Sequence, residues 1–223
     1  MTVQHPVYGL YSGLQSTNEW WTLLIEKTML NSGVSVQDLQ ECLQPLATSL
    51  LRRFASKDAY ETVPGVHQTL GSIQSLAKEQ NRSPFAMSLA TNSDHRIIHA
   101  CRDLGLGDFL NLEMNYSSTN QEKNPAPSLS YDIGYEKPSV RFFHSAVQRS
   151  FPPFGSKPYT LEEMCSETLY VGDHFTEDYL GASEAGLQAV WLKKSQKLPE
   201  GREDVPALRS FHDLTDFIAL SWT

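Results

Sequence analysis

Apolar residues recur at helical spacing through Trp20, Leu23, Leu24 and Met29, and "NSG" ends the run. Ahead of it, "STNE" sets a capping hydroxyl, Ser16, three residues before Glu19, the pattern of a helix start. "SVQD" at Ser35 repeats that signal, and a second amphipathic run extends towards Phe54. Up to about residue 60 the chain reads as two helices joined by a short turn, with no strand. The Trp20-Trp21 pair fits packing between these helices, with ligand stacking as the other reading.

After Pro64-Gly65 the rhythm changes. "VHQTLGSIQSLAKEQ" is an amphipathic helix, and "PFAMSLA" a short apolar strand ending at "TNSD". "HRIIHACRDLGLG" is a helix with Ile97, Ile98, Cys101 and Leu104 on one face, and "FLNLEM" a second strand. From Asn115 to Asp132 the pattern dissolves into a polar stretch rich in Ser, Asn and Pro, read as a flexible insertion. Ser150 to Thr160 reads as a second loop, and "KPSVRFFHSAVQR" between them as a helix. "ETLYVG" is a strand, "TEDYLGASEAG" a helix and "LQAVWL" a strand, and "SFHDLTDFIAL" is a terminal helix capped by Ser210. Alternating helix and strand predicts an α/β class with a parallel sheet and helical crossovers. The change of rhythm divides the chain into a helical part, residues 1–62, and an α/β part, residues 63–223.

Bulk composition narrows the partners. Of 223 residues, 40% are hydrophobic and 20% charged, which suits a globular protein with one main core. The net charge of −8 argues against nucleic acid or an anionic membrane as the main partner. No apolar run approaches bilayer length, and the first residues lack a charged segment followed by an apolar one. The three cysteines, Cys42, Cys101 and Cys165, are far apart and odd in number. That fits reduced thiols in a cytoplasmic or nuclear protein rather than a disulfide framework or a zinc knuckle.

Strands of an α/β sheet present functional residues in the loops at their carboxyl ends. Thr91 and Asn92, a hydroxyl and an amide able to donate to an anion, follow the first such strand. Lys137 stands before Pro138 at a helix start, where proline suits the first turn. Asp173 and Asp178 follow "LYVG" and offer hard oxygen ligands of the type Mg²⁺ takes. A hydroxyl, a lysine and a metal-binding acid are what phosphoryl transfer requires, because they spread the charge on the equatorial oxygens. His95 and His99 have the i, i+4 spacing of a helical metal pair, but no third ligand is evident. No G-x-S-x-G elbow appears, which argues against a serine hydrolase.

"SLATNSD", "GYEKPSVRFF" and "VGDHFTED…GASEAGLQAV" resemble the second, third and fourth motifs of the haloacid dehalogenase (HAD) superfamily. "VPGVHQTLGSIQSLAKE" resembles the helix leading into the second motif. "YGLYSGLQSTNEWW" resembles the helical cap of one branch, the haloacid dehalogenase-like hydrolase domain-containing protein 3 group. The resemblance implies a Rossmann-like core over residues 63–223 and a partial helical cap over residues 1–62. It implies a Mg²⁺-dependent phosphatase acting on a small phosphorylated metabolite. Thr91 would hydrogen-bond the phosphoryl group, with Asn92 supporting the turn, and Lys137 would neutralise its oxygens. Asp173 would bind Mg²⁺, and Asp178 would position a metal-bound water or Lys137.

The same resemblance exposes a gap. The family's nucleophile lies in an Asp-x-Asp motif after the first strand, and no Asp-x-Asp occurs in this sequence. The chain is therefore expected to be an inactive, incomplete form whose central strand is missing and whose hold on Mg²⁺ is weakened. The alternative is a non-catalytic binding or regulatory protein with a rearranged sheet. Neither substrate nor oligomeric state is specified by these motifs.

Overall fold

A computed structural model of the protein describes residues 4–79, 85–113, 125–151, 159–194, 196–197, 200–201 and 204–221. In chain order its elements are α1 (Thr17–Asn31), α2 (Val36–Arg53), α3 (Val66–Glu79), β1 (Ala90–Thr91) and α4 (Arg96–Asp103). There follow β2 (Ser128–Leu129), α5 (Ser130–Ile133), α6 (Val140–Ser150), α7 (Leu161–Ser166) and β3 (Leu169–Gly172). A π-helical turn (Phe175–Leu180), α8 (Gly181–Glu184), β4 (Gln188–Leu192), β5 (Ala207–Leu208) and α9 (Asp213–Ser221) complete the order. Among the described residues no helix is long and apolar enough to cross a membrane. The chain divides into two compact units.

The first unit comprises Met1–Glu61, Asn92–Gly105 and Leu129–Glu136. The capping signals at Ser16 and Ser35 work as the sequence predicts. The Ser16 hydroxyl accepts from the Glu19 amide at 3.3 Å, and the Ser35 hydroxyl from the Asp38 amide at 3.1 Å. Arg52 and Arg53 sit in the last turn of α2, where cations complement the helix dipole. Trp20 is buried and donates its indole N–H to the His5 carbonyl at 2.8 Å. Trp21 packs edge-on to it, stacks on Phe54 and donates to Asp94 Oδ2 at 2.9 Å. Both indoles are thus engaged in packing. Asp94, only 3% exposed, is further paired with Arg96, so its buried charge is compensated.

The second unit comprises Thr62–Thr91, Leu106–Ser128 and Lys137–Thr223. β3 pairs in parallel with β4, from Leu169–Gln188 to Gly172–Trp191, and β4 with β5 through Trp191–Ala207 and Leu192–Leu208. Side chains alternate across β3 as strand geometry requires. Leu169 and Val171 join Ile73 and Leu76 of α3 and Leu214 and Ile218 of α9 in one core. Tyr170 meets Phe143 of α6, with ring centroids 5.1 Å apart. Apolar contacts on both sides make this a Rossmann-like α/β arrangement.

The sheet is in two pieces. β1 pairs with β2, while β3, β4 and β5 form a separate sheet. Among the described residues no backbone ladder joins β1 to β3. A side chain spans the interval instead: Tyr170 Oη donates to the carbonyl of Ala90 at 3.2 Å. Phe85 and Met87 pack on the same core as Leu169 and Val171, so burial links what no backbone ladder joins.

Several sequence expectations change here. Residues 85–89 form no ladder, and only Ala90–Thr91 of the expected "PFAMSLA" strand is paired, because a strand needs a neighbour on its edge. Residues 109–113 of "FLNLEM" are not a strand; the Asn111 side chain accepts from the Glu113 amide at 2.9 Å, a local bond that turns the chain. The stretch read as an insertion over 115–132 ends in buried structure. Ser128, Leu129 and Ser130 lie at 1%, 0% and 0% exposure in β2 and α5, and residues 114–124 lie outside the described ones. Thr160, read as the end of a loop, caps α7 through a reciprocal box with Glu163. Residues 152–158 of that loop are also outside the described ones. Pro138 precedes α6 by two residues instead of occupying its first turn, and Ser139 is the N-cap position.

Candidate active site

β3 delivers the acids. At its end Gly172 leads into Asp173, and the His174 ring nitrogen Nδ1 accepts from the Glu177 amide at 3.0 Å, capping the next turn. That turn is wide. The amides of Asp178 and Tyr179 both reach the His174 carbonyl, at 2.8 and 3.3 Å, and the chain winds as a π-helix. Asp178 is thereby carried back over the strand end. A Cβ on Gly172 would fall on the Asp178 carboxyl group, so only glycine leaves room for it.

Asp178 is 4% exposed and its charge is answered from three sides. Lys137 Nζ donates to Oδ1 at 2.6 Å, Tyr170 Oη lies 3.3 Å from the same oxygen, and the His174 amide donates to Oδ2 at 2.9 Å. The Lys137 side chain is itself only 11% exposed and passes over the Tyr170 ring, 5.7 Å from its centroid. Burial, and after it the Asp178 carboxylate, pushes the Tyr170 hydroxyl well above the usual phenol range. It therefore stays a donor, with its one proton shared between Asp178 and the Ala90 carbonyl.

Asp173 is built differently. Its side chain is 55% exposed and pairs with Lys194 Nζ at 2.8 Å. Its carbonyl accepts from Trp191 Nε1 at 3.1 Å and Gln196 Nε2 at 3.4 Å. The hydrogen bond from Lys194 holds its carboxyl below the usual range, against an opposing contribution from burial.

The sequence-predicted residues are thus only partly brought together. Lys137 and Asp178 form one buried pair. Thr91, half-buried at the end of β1, follows Ala90, whose carbonyl holds Tyr170. Asp173 pairs with Lys194. Asn92 falls in the first unit, where its carbonyl accepts from Tyr8 Oη at 3.0 Å. Burial, with Asp94 and Glu136 nearby, pushes that phenol up to about 12. His95 and His99 are both exposed, and His95 Nε2 lies 2.7 Å from Asp132 Oδ1. Two contributors escape sequence reasoning, Tyr170 and Lys194. The signal for the first is one polar tip in an apolar strand. The second is hidden in the Lys193-Lys194 doublet, which reads as ordinary surface charge.

Magnesium takes about six oxygen ligands in near-octahedral geometry. Both Asp178 oxygens already accept from nitrogen or hydroxyl donors, and Asp173 faces an ammonium. Among the described residues no group of three or more His, Cys, Asp or Glu side chains could hold a metal ion. The donor set present does not fit a resident divalent cation.

The arrangement can be set beside known proteins. No family model matches the chain. The crystal structure of YfnB from Bacillus subtilis, solved bound to magnesium, superposes with a TM-score of 0.62 at 18% identity, covering 98% of this chain and 79% of that one. The fold is that of the HAD superfamily. The sequence of the chain resembles the haloacid dehalogenase-like hydrolase domain-containing protein 3 of Danio rerio, at 25% identity over 85% of this chain and 63% of that protein. It also matches an uncharacterized Saccharomyces cerevisiae protein at 24% identity over 86% of this chain. A glyceraldehyde 3-phosphate phosphatase of Methanothermobacter thermautotrophicus is 35% identical over 34% of this chain and 27% of its own length. The chain spans little more than half of the yeast relative, 56% of its length.

Proposed function

We propose that this chain carries the phosphate-holding part of a HAD-like phosphatase whose substrate is a small phosphorylated metabolite. The observation that carries the reading is the buried Lys137–Asp178 pair. An ammonium held at 2.6 Å by a carboxylate is oriented at a strand-end loop, where a phosphoryl group needs a fixed cation. Thr91 supplies a hydroxyl donor to the same anion, and Asn92 shapes the turn that aims it. Tyr170, kept protonated, fixes Asp178 and through it Lys137. The helices of residues 1–62 correspond in this reading to the family's helical cap. Magnesium belongs to this reading only through the family likeness. Asp173 would be its first ligand, and the occupied oxygens around it would make its binding weak.

The second reading is a binding or regulatory protein that holds a phosphorylated molecule without turning it over. The absence of any Asp-x-Asp favours it for the chain as it stands, since no residue here is assigned as nucleophile. Titration of the chain with inorganic phosphate, followed by calorimetry, tests the common core of both readings. Saturable binding that Lys137→Met abolishes is expected, and binding indifferent to that change would overturn the assignment. Hydrolysis of an aryl phosphate then separates the two. No turnover above background is expected, and robust turnover lost in Lys137→Met would place a working nucleophile in these 223 residues.

A further inference from the structure

We propose that Lys194 is a built-in cation for Asp173 that takes the place of a divalent ion and selects against one. The inference rests on the reading of this loop as part of a phosphate site, but its observations are separate. A metal site presents oxygens aimed at an empty point. This loop does the reverse at four of its oxygens, which are met by hydrogen-bond donors. Asp173 Oδ2 accepts from Lys194 at 2.8 Å, and the Asp173 carbonyl from Trp191 and Gln196. Asp178 Oδ1 accepts from Lys137 and Tyr170, and Oδ2 from the His174 amide.

The position of Lys194 is set by the backbone. It lies two residues past the end of β4 and adopts φ = +50°, a left-handed conformation uncommon for a residue with a side chain. The turn it makes is closed by the Gln196 amide donating to the Lys193 carbonyl at 2.8 Å. Gln196 in turn donates its side-chain amide to the Asp173 carbonyl. Strand end, turn and acid are therefore one assembly, and the ammonium is delivered to the carboxylate by the fold. A divalent cation arriving at Asp173 must displace this ammonium or sit beside it against like-charge repulsion. The Asp173–Lys194 pair is half-exposed, so solvent moderates the effect, and removing the lysine charge should tighten divalent binding about tenfold.

The test is titration of the full chain with Mn²⁺, read by electron paramagnetic resonance of the free ion, alongside competition by Mg²⁺. Lys194→Met keeps the stem and removes the charge, and Lys194→Arg keeps the charge. The expected order is tight binding in Lys194→Met and weak binding in the wild type and Lys194→Arg. The gain should disappear when Asp173→Asn is added to Lys194→Met. Equal binding in the wild type and Lys194→Met, or a gain that survives Asp173→Asn, would overturn the proposal. Inorganic phosphate binding, measured on the same proteins, reports separately on the phosphate-site reading. Its absence together with the expected Mn²⁺ order would sink that reading and leave this one standing.

Discussion

Replacing Asp178 with alanine should be among the most damaging single changes in the second unit. The side chains of Lys137 and Asp178 are 11% and 6% exposed and meet at 2.6 Å. Alanine would take away the carboxylate that meets this buried ammonium, and would also remove an acceptor for Tyr170 and for the His174 amide. Truncating one partner of a buried pair costs about 3–5 kcal/mol, mostly through the charge left uncompensated. For a chain of this length that corresponds to a Tm lowered by roughly 6–20 °C. Urea unfolding followed by circular dichroism measures the loss directly. A second outcome is expected, because the cost lies in a buried ammonium deprived of this carboxylate. Lys137→Met combined with Asp178→Leu should recover most of the stability that Asp178→Ala removes. A loss below about 1 kcal/mol for Asp178→Ala, the range of an exposed pair, would refute the reasoning. So would a double variant whose losses simply add.

Three further outcomes follow from the same loop. Gly172→Ala should cost about 1–3 kcal/mol by thermal unfolding and weaken phosphate binding with it, since the new methyl group takes the place of the Asp178 carboxyl. Tyr170→Phe should cost about 1–2 kcal/mol and speed amide hydrogen exchange over residues 85–91, because it removes the hydroxyl that ties β3 to the Ala90 carbonyl. The Asp173 carboxyl is held below its usual range by Lys194, so the stability it contributes is fully present above about pH 4 and is lost as pH falls through its lowered folded value. Urea unfolding should therefore show the wild type ahead of Lys194→Met by less than about 1 kcal/mol at neutral pH and level with it in strong acid.

Helices with strong punctuation were legible in the sequence. Ser16 and Ser35 announce α1 and α2 because a capping hydroxyl acts locally, and α3, α4, α6 and α9 show in their periodicity. Strands were legible only where their neighbours exist. "LYVG" and "QAVWL" pair with each other, whereas "PFAMSLA" has the composition of a strand but pairs only through its last residue and Thr91. Pairing is a non-local property, and composition does not carry it. "PAPSLSYD" misled in the other direction. Small polar residues suggest a loop, yet Ser128 and Ser130 are buried; serine is small enough for a tight interior, and the Ser130 hydroxyl donates to the Ser93 carbonyl at 3.4 Å. At the candidate site, the motifs singled out Lys137 and Asp178, which the fold joins in one buried pair. The motifs offered Lys137 as one partner for Asp178; what they did not convey was that Lys194 meets Asp173, since that depends on the loop after β4.

The π turn between Phe175 and Leu180 acts as a phase shifter. One extra residue is wound into it, so every side chain beyond is rotated by about 100° from where an α-helix would have put it. On one side of the offset Asp178 faces inward to Lys137, and on the other Gly181 lies where a Cβ would press on Phe143 and Pro138. Acid and helix packing face are thus set independently, although only three positions separate them in the chain. Deleting a single residue from this turn would leave its composition nearly unchanged and bring the two faces back into step. The carboxylate and the packing face could not then both be seated, so a change invisible to any measure of residue content would dismantle the site by geometry alone.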